Sequence, residues 1–398
     1  MTVETIEPAV EPRALVRARQ RRWFWLEVAL VIVCALLLLL VIPAILNAVG
    51  QGVRVNQLGR FLALAIAALG IDLIWGYTGL LSLGHGIFFA LGGYALAMYL
   101  ELQAKGGGTP DFFSLYGVTE LPAFWQPFNS LPFTIIAIWL IPTLVAIALG
   151  YLVFRNRIRG VYFSILTQAA LIVFFNFFNG QQKLINGTNG LKTSTSPIFG
   201  VQASDPRAQA IFYALSVVFL VLGYAFCRWL TSGRMGRMLV AIRDDEPRVR
   251  FSGYNPTWFK VFVFAVSAAL AGIAGALFTV QSGIITPSSS LSTAFSIEMV
   301  IWVAVGGRAT LVGAIFGTLL VNFARTLLSE QFPAVWLFFQ GALFLSVVTI
   351  LPNGIIGWLR GDGFALARSL FGGRHPIATY PSLETDPDVE YERQNSRD

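Results

Sequence analysis

Residues 76–94 read GYTGLLSLGHGIFFALGGY, with glycines at 76, 79, 84, 86, 92 and 93 and a histidine, His85, in sequence otherwise apolar enough to cross a membrane. A helix that only spans uses Leu, Ile, Val and Ala, because each interior glycine costs about 0.5–1 kcal/mol against alanine. Glycine-interrupted hydrophobic segments mark broken helices, close helix contacts or a solute path. The backbone of this stretch is therefore wanted for more than crossing.

The surrounding chain has the composition of a membrane protein. Of 398 residues, 56% are hydrophobic and 12% charged, against about 25% charged in a soluble globular chain. Runs of about 20 apolar residues suit ~30 Å of hydrocarbon, and they recur at 26–48, 58–75, 83–102, 133–154, 161–178, 210–230, 261–280, 295–306, 311–328 and 336–351. The fold class expected is all-α and polytopic, with about ten transmembrane helices. The first run is too long for the apolar core of a cleaved signal peptide and reads as a retained span.

The net charge of +7 does not point to nucleic acid, because the basic residues fall between the spans. With an Arg-rich N-terminus inside, the cytoplasmic connections hold ten Lys or Arg and the longer external ones five. That asymmetry predicts both termini cytoplasmic. It divides the chain into a tail (1–25), a transmembrane domain (26–360) and a polar, partly disordered tail (361–398). Cys34 and Cys227 both fall in spans, so neither a disulfide framework nor a metal site is indicated. Of the long external connections, 103–132 carries Trp125 and four prolines and reads as a semi-rigid aromatic lid.

The longest cytoplasmic connection, about 231–260, contains GRMGRMLVAIRDDEPRVRFSGYNPTWFK from Gly233 to Lys260. A basic loop of this kind serves as an orientation signal or a contact with anionic lipid. Its order suggests more. An amphipathic run, Met235 to Ile242, precedes Asp244, Asp245 and Glu246; Pro247 can open a helix and Gly253 can close one. The result is a short helix along the membrane face with carboxylates at its N-terminal end, where the helix dipole favours them. Such an element suits a groove on a cytoplasmic partner.

Glu246 followed seven positions later by Gly253, in MGRMLVAIRDDE…SGYNP…FKVFVFAVSAALAGIAGAL, resembles the coupling loop of ABC importer permeases. More narrowly, this segment with GYTGLLSLGHGIFFALGGY and SIEMVIWVAVGGRATLVGAIFGTLL resembles the branched-chain amino acid permease family over roughly residues 58–360. GVYFSILTQA, NGTNGL, RDDEPRVRFSGYNP, QSGIITPS and LPAFWQPF are most similar to its urea-transporting branch. The resemblance implies a permease subunit of an ATP-driven importer in a bacterial inner membrane. It also implies a second, related permease subunit, two cytoplasmic ATPase subunits and a periplasmic solute-binding protein. Urea is the substrate it favours, with branched-chain or other amino acids as the alternative. Arg243, Asp244, Asp245, Glu246 and Gly253 become the ATPase-coupling candidates. Small residues commonly follow the glutamate in the family, whereas Pro247, Arg248 and Val249 stand here, which places the docking helix later.

Polar residues in spans complete the candidates, since an ionisable group near a helix centre costs about 2.5–3.5 kcal/mol on insertion scales. Asp72 lies near the cytoplasmic end of its span; Glu298 and Arg325 lie toward the external side and are placed to pair. Ser82, His85, Thr167, Gln168, Asn176, Asn322 and Gln340 either line a path or make interhelical hydrogen bonds. Gly313/Gly317 and Ala268/Gly272/Ala276 set small residues on one helix face, which reads as packing. No catalytic site, cofactor or phosphate-cradling motif is indicated, so ATP belongs to another chain. A solitary ion-coupled carrier or channel is the competing class. It would use Asp72 or Glu298 and has no need of a partner-facing loop.

Overall fold

The computed structural model describes residues 28–198, 201–333, seven positions between 335 and 349, and 354–360. The tails 1–25 and 361–398, Gln340 and most of the expected tenth span, 336–351, lie outside the described residues. A first compact unit runs to Gly357 and a second begins at Trp358; the account below concerns the first.

Among the described residues, nine helices are long and apolar enough to cross a membrane: α1 (Val28–Ala48), α2 (Val53–Thr78), α3 (His85–Ala104), α4 (Leu131–Arg155), α5 (Val161–Gly180), α6 (Pro206–Ser232), α8 (Pro256–Ser282), α9 (Thr293–Gly306, which crosses together with the short helix before it as the span Pro287–Gly306) and α10 (Leu311–Gln331). Helix α7 (Arg234–Phe251) is too polar to be one of them. This is an all-α polytopic membrane protein. The expected spans are found with shifted ends: α8 starts at Pro256 instead of 261 and α2 at Val53 instead of 58. Arg54, Asn56, Gln57 and Arg60 lower the local hydropathy there without interrupting the helix.

Several helix starts follow from capping chemistry. Asp205 and Asn255 each precede a proline at the first helical position and accept a backbone N–H two residues on, at 2.8 and 3.1 Å. Ser292 caps α9 without a proline, accepting the Phe295 N–H three residues on. Each side chain satisfies a donor that the helix leaves unpaired, and proline supplies the φ the first turn needs.

The core lies along α2 and α8. Every residue of α2 from Leu62 to Ile74 is buried, Asp72 included, so this helix is surrounded by protein on all sides. Helix α8 packs on α2, α3 and α4. It does so closely because Gly272 faces both the Gly92 backbone of α3 and the Ile138 carbonyl of α4. That carbonyl is the one Pro142 leaves without its helical partner. A side chain at either glycine would collide with backbone, which is the packing expected of the 268/272/276 face. Gly306 and Gly313 meet in the same manner between α9 and α10.

The connections sort to two ends. At one, α7 meets the last turn of α2 and the turn 156–160, and the turn 307–310 meets the same end of α2. At the other, β1 (Leu191–Lys192) pairs antiparallel with β4 (Ile284–Ile285), Leu191 opposite Ile285, and a small hairpin joins β2 (Pro197–Ile198) to β3 (Val201–Gln202). The segment expected as an aromatic lid lies at that second end. Trp125 donates to the Leu184 carbonyl at 2.9 Å and stacks edge-on to Phe128, which meets Phe133 in turn.

Candidate functional site

Helix α7 is two helices across a kink at Asp245, whose backbone is non-helical (φ −151°, ψ 84°). The Asp245 carboxylate accepts the Arg248 N–H at 3.1 Å and so caps the second segment, with Pro247 inside its first turn. That segment ends as the glycine predicts. Gly253 adopts φ +85°, its N–H meets the Arg250 carbonyl, and the Tyr254 N–H reaches back to Val249. This is a Schellman closure, which a residue with a Cβ enters at a cost. The second segment of α7 thus begins after Asp245, with Pro247 near its start and Gly253 at its end.

Buried Gly236, Leu239, Ile242, Glu246 and Val249 form the inward stripe of α7. Glu246, a coupling candidate, is only 6% exposed and stands in a knot of cations. It accepts from Lys260 Nζ of α8 at 2.5 Å and from Arg250 at 2.7 Å, with Arg159 of the α4–α5 turn at 3.8 Å. Burial pushes its pKa up, but the hydrogen bonds and charges of Lys260 and Arg250 outweigh that and hold it below the usual glutamate value. Its carboxylate faces inward and fastens α7 to the membrane helices.

Arg243 points the other way along the same element. Its Nη1 donates to the Gly76 carbonyl at 3.0 Å, in the last turn of α2, while its Nε pairs with exposed Asp244. The outward side of α7 carries a residue that sequence reading missed: Phe251 is 92% exposed and Tyr254 54%. An aromatic off the buried stripe, two residues before the closing glycine, was the available signal.

The 76–94 stretch resolves into a helix end, a pinned turn and a packing face. Gly79 closes α2 with φ +71°, its N–H on the Trp75 carbonyl. The turn that follows is tied to α5: Thr167 Oγ1 accepts the Leu83 N–H at 3.1 Å and Ser164 donates to the Leu81 carbonyl at 2.7 Å. Ser82 accepts the Gly84 N–H. His85 is buried, 2.6 Å from Ser267 Oγ through Nε2 and edge-on to Phe88 and Phe264. Its hydrogen bond is therefore interhelical, between α3 and α8.

The remaining path candidates are scattered. Asn322 donates to the Thr318 carbonyl of its own helix. Glu298 and Arg325 form the expected pair, 2.6 Å apart between α9 and α10. On α5, Gln168 is half-buried and Asn176 exposed, so these two face outward from the subunit. A cavity of about 180 Å³ lies between α3, α4 and α5 beneath the lid, with walls that include Leu91, Ile141, Trp125, Phe128 and Phe178. The Tyr94 hydroxyl in its wall is buried and has no hydrogen-bond partner among the described residues.

Comparison with known proteins matches residues 53–348 to the family described as the branched-chain amino acid transport system permease component. The chain is 27% identical over 316 residues to the high-affinity branched-chain amino acid transport system permease protein LivM of Salmonella typhimurium, covering 74% of this chain and 68% of that protein. Escherichia coli LivM is likewise 27% identical, over 318 residues. Escherichia coli LivH, a permease protein of the same description, is 25% identical over 310 residues, or 91% of its length. No solved structure matches. These relatives are transport subunits rather than enzymes, and with nine apolar helices among the described residues the chain is a multi-pass protein of the bacterial inner membrane. It belongs to the family of branched-chain amino acid transport permease components.

Proposed function

We propose that this chain is one permease subunit of an ATP-driven importer, pairing with a related permease and coupled through α7 to two cytoplasmic ATPase subunits, with a solute-binding protein delivering substrate outside. The observation that carries this reading is the build of α7. One side is clamped inward by the Glu246 knot and the other presents Phe251 and Tyr254 to solvent. A large apolar side chain left in water at the end of a capped, clamped helix is what a docking knob requires. A solitary carrier has no use for it. On this assignment the end bearing α7 is cytoplasmic, as the basic-residue asymmetry predicts, and both termini lie on that side. Closure of the ATPase pair would then move α7 and re-orient the spans between inward and outward access. Gln168 and Asn176, facing outward on α5, are the polar positions available to a path shared with the second permease.

For the substrate, branched-chain or other apolar amino acids are the better-supported reading. The relatives reported above are named for branched-chain amino acid transport, and the cavity beneath the lid is walled mostly by hydrocarbon and aromatic rings, with Gln181 and the Tyr94 hydroxyl as its polar members. Such walls suit an aliphatic side chain; urea has none and needs polar partners throughout. Urea, the substrate favoured by the motifs GVYFSILTQA and RDDEPRVRFSGYNP, is the second reading. Uptake of radiolabelled leucine and of radiolabelled urea, each with and without the gene, separates them. Loss of leucine uptake with urea unchanged is expected, and the reverse overturns the amino acid assignment. For coupling, Phe251→Ala or Gly253→Pro is expected to reduce co-purification of an ATPase subunit, and retention of both ATPase binding and ATP-dependent uptake in both variants would favour the solitary carrier.

A further inference from the structure

Asp72 has the features of a working residue without a role in the reading above. It is fully buried in α2. One oxygen, Oδ1, accepts the backbone N–H of Ala309 at 2.7 Å, and Oδ2 has no hydrogen-bond partner among the described residues. A buried carboxylate is costly in a membrane span, and here its bond goes to a single turn, 307–310, that joins α9 to α10.

That turn is held by the last turn of α2 at several points. Ala309 sits at φ +58°, a conformation that costs an L-residue and persists only where its surroundings impose it. The Gly76 position lies so close to the Ala309 backbone that a Cβ there would collide with it. Tyr77 Oη donates to the Ala309 carbonyl at 3.4 Å, and the Arg308 guanidinium lies 5.1 Å over the Trp75 ring. Asp72 and Gly76 are one turn apart on α2, and the Gly76 carbonyl is the group that Arg243 of α7 grips. Beyond the turn, α9 and α10 are locked together by the Gly306–Gly313 contact and by Glu298 with Arg325.

We infer that Asp72 is a positioning residue for transport: through Ala309 it joins the α9–α10 hairpin to the inner end of α2, so that α7, that end of α2 and the hairpin move as one body. The inference rests on α7 being the coupling element. It assigns the cost of burying Asp72 to the transmission of motion. A side-chain oxygen is suited to this because the backbone N–H it accepts from is present whatever the side chain at 309.

The test uses the assembled importer in liposomes, with leucine as the probe and uptake measured per ATP hydrolysed. Asp72→Ala is expected to keep binding-protein-stimulated ATP hydrolysis while uptake per ATP falls about fivefold or more. Asp72→Asn, which retains an oxygen acceptor for Ala309, is expected to stay within about twofold of wild type. An unchanged ratio in Asp72→Ala overturns the inference, as does an equal loss in both variants. Absence of ATP-driven uptake of both leucine and urea in wild type would instead sink the importer reading itself.

A second measurement leaves Asp72 intact. In a Cys34→Ser, Cys227→Ala chain, spin labels at Asp244→Cys and Arg308→Cys are compared, with and without trapped ATP, against a third at Phe124→Cys. A 244–308 distance constant to about 2 Å, while both change relative to 124, supports one body. A 244–308 change as large as the others, or no change anywhere, overturns it.

Discussion

The two ends of the molecule each hold a glutamate against an arginine, and they are built differently. At the α7 end, Glu246 is buried among Lys260, Arg250 and Arg159, drawn from three segments. At the opposite end, Glu298 meets Arg325 between adjacent helices, and Arg325 is 41% exposed. The first arrangement fastens a polar element onto the membrane helices; the second braces a hairpin already close-packed through its glycines. The difference teaches that charge is concentrated where a segment has little apolar surface to hold it. Helix α7 buries only a narrow stripe, so the ion knot supplies what hydrocarbon contact cannot.

The largest effect should come from dismantling that knot. Glu246→Ala leaves Lys260, itself buried, without its carboxylate, and breaking a buried pair from one side costs about 3–5 kcal/mol. The thermal unfolding midpoint of the purified chain in detergent should fall sharply, and ATPase co-purification should fall with it. If the midpoint is unchanged, the contrast between the two ends fails.

Acid probes the same group without a mutation. Because the folded protein holds the Glu246 pKa below its ordinary value, the carboxylate's stabilisation is fully present above the unfolded value. It is lost as pH falls through the folded one. The thermal midpoint of wild type should therefore decline as pH drops below about 4.3, the ordinary glutamate value. Glu246→Gln, less stable at neutral pH, should show a shallower acid decline. Parallel acid limbs for the two proteins would assign the decline to other carboxylates.

Much of this was readable from the residues, for identifiable reasons. Lipid demands long apolar runs, so the spans announce themselves. The proline at 247 and the glycine at 253 are local signals whose chemistry acts within one turn. Glu298 and Arg325 were legible as a pair because intramembrane charges need partners. Lys260 as the partner of Glu246 was not, since fourteen residues and a reversal of direction separate them. The grip of Arg243 on Gly76, 167 residues away, carries no local mark. Phe251 escaped notice because periodicity shows which face is apolar, and says nothing of a single apolar residue kept off that face.

Within α7, two smaller changes separate the clamp from the shape of the helix it clamps. Gly253→Ala puts a Cβ at φ +85°, where an L-residue loses about 1–2 kcal/mol. Asp245→Ala removes the cap at the kink, worth about 1 kcal/mol. Both should lower ATPase co-purification by more than they lower thermal stability, because the knot still holds the helix while its outer end loses direction. Equal losses in both readouts would mean that the knot and the caps are one cooperative unit.

The smallest effect is expected at the opposite end. Glu298→Gln keeps an oxygen to accept from Arg325 but removes the opposing charge. Helices α9 and α10 remain joined by Gly306 against Gly313, contacts the substitution does not touch. The midpoint should therefore move only slightly. The same variant sharpens the comparison in a second way, because a brace and a solute contact respond differently. A brace predicts an uptake KM within about twofold of wild type. A large rise in KM with stability intact would show that the outer carboxylate meets the solute, and the two glutamates would then differ in role as well as in burial.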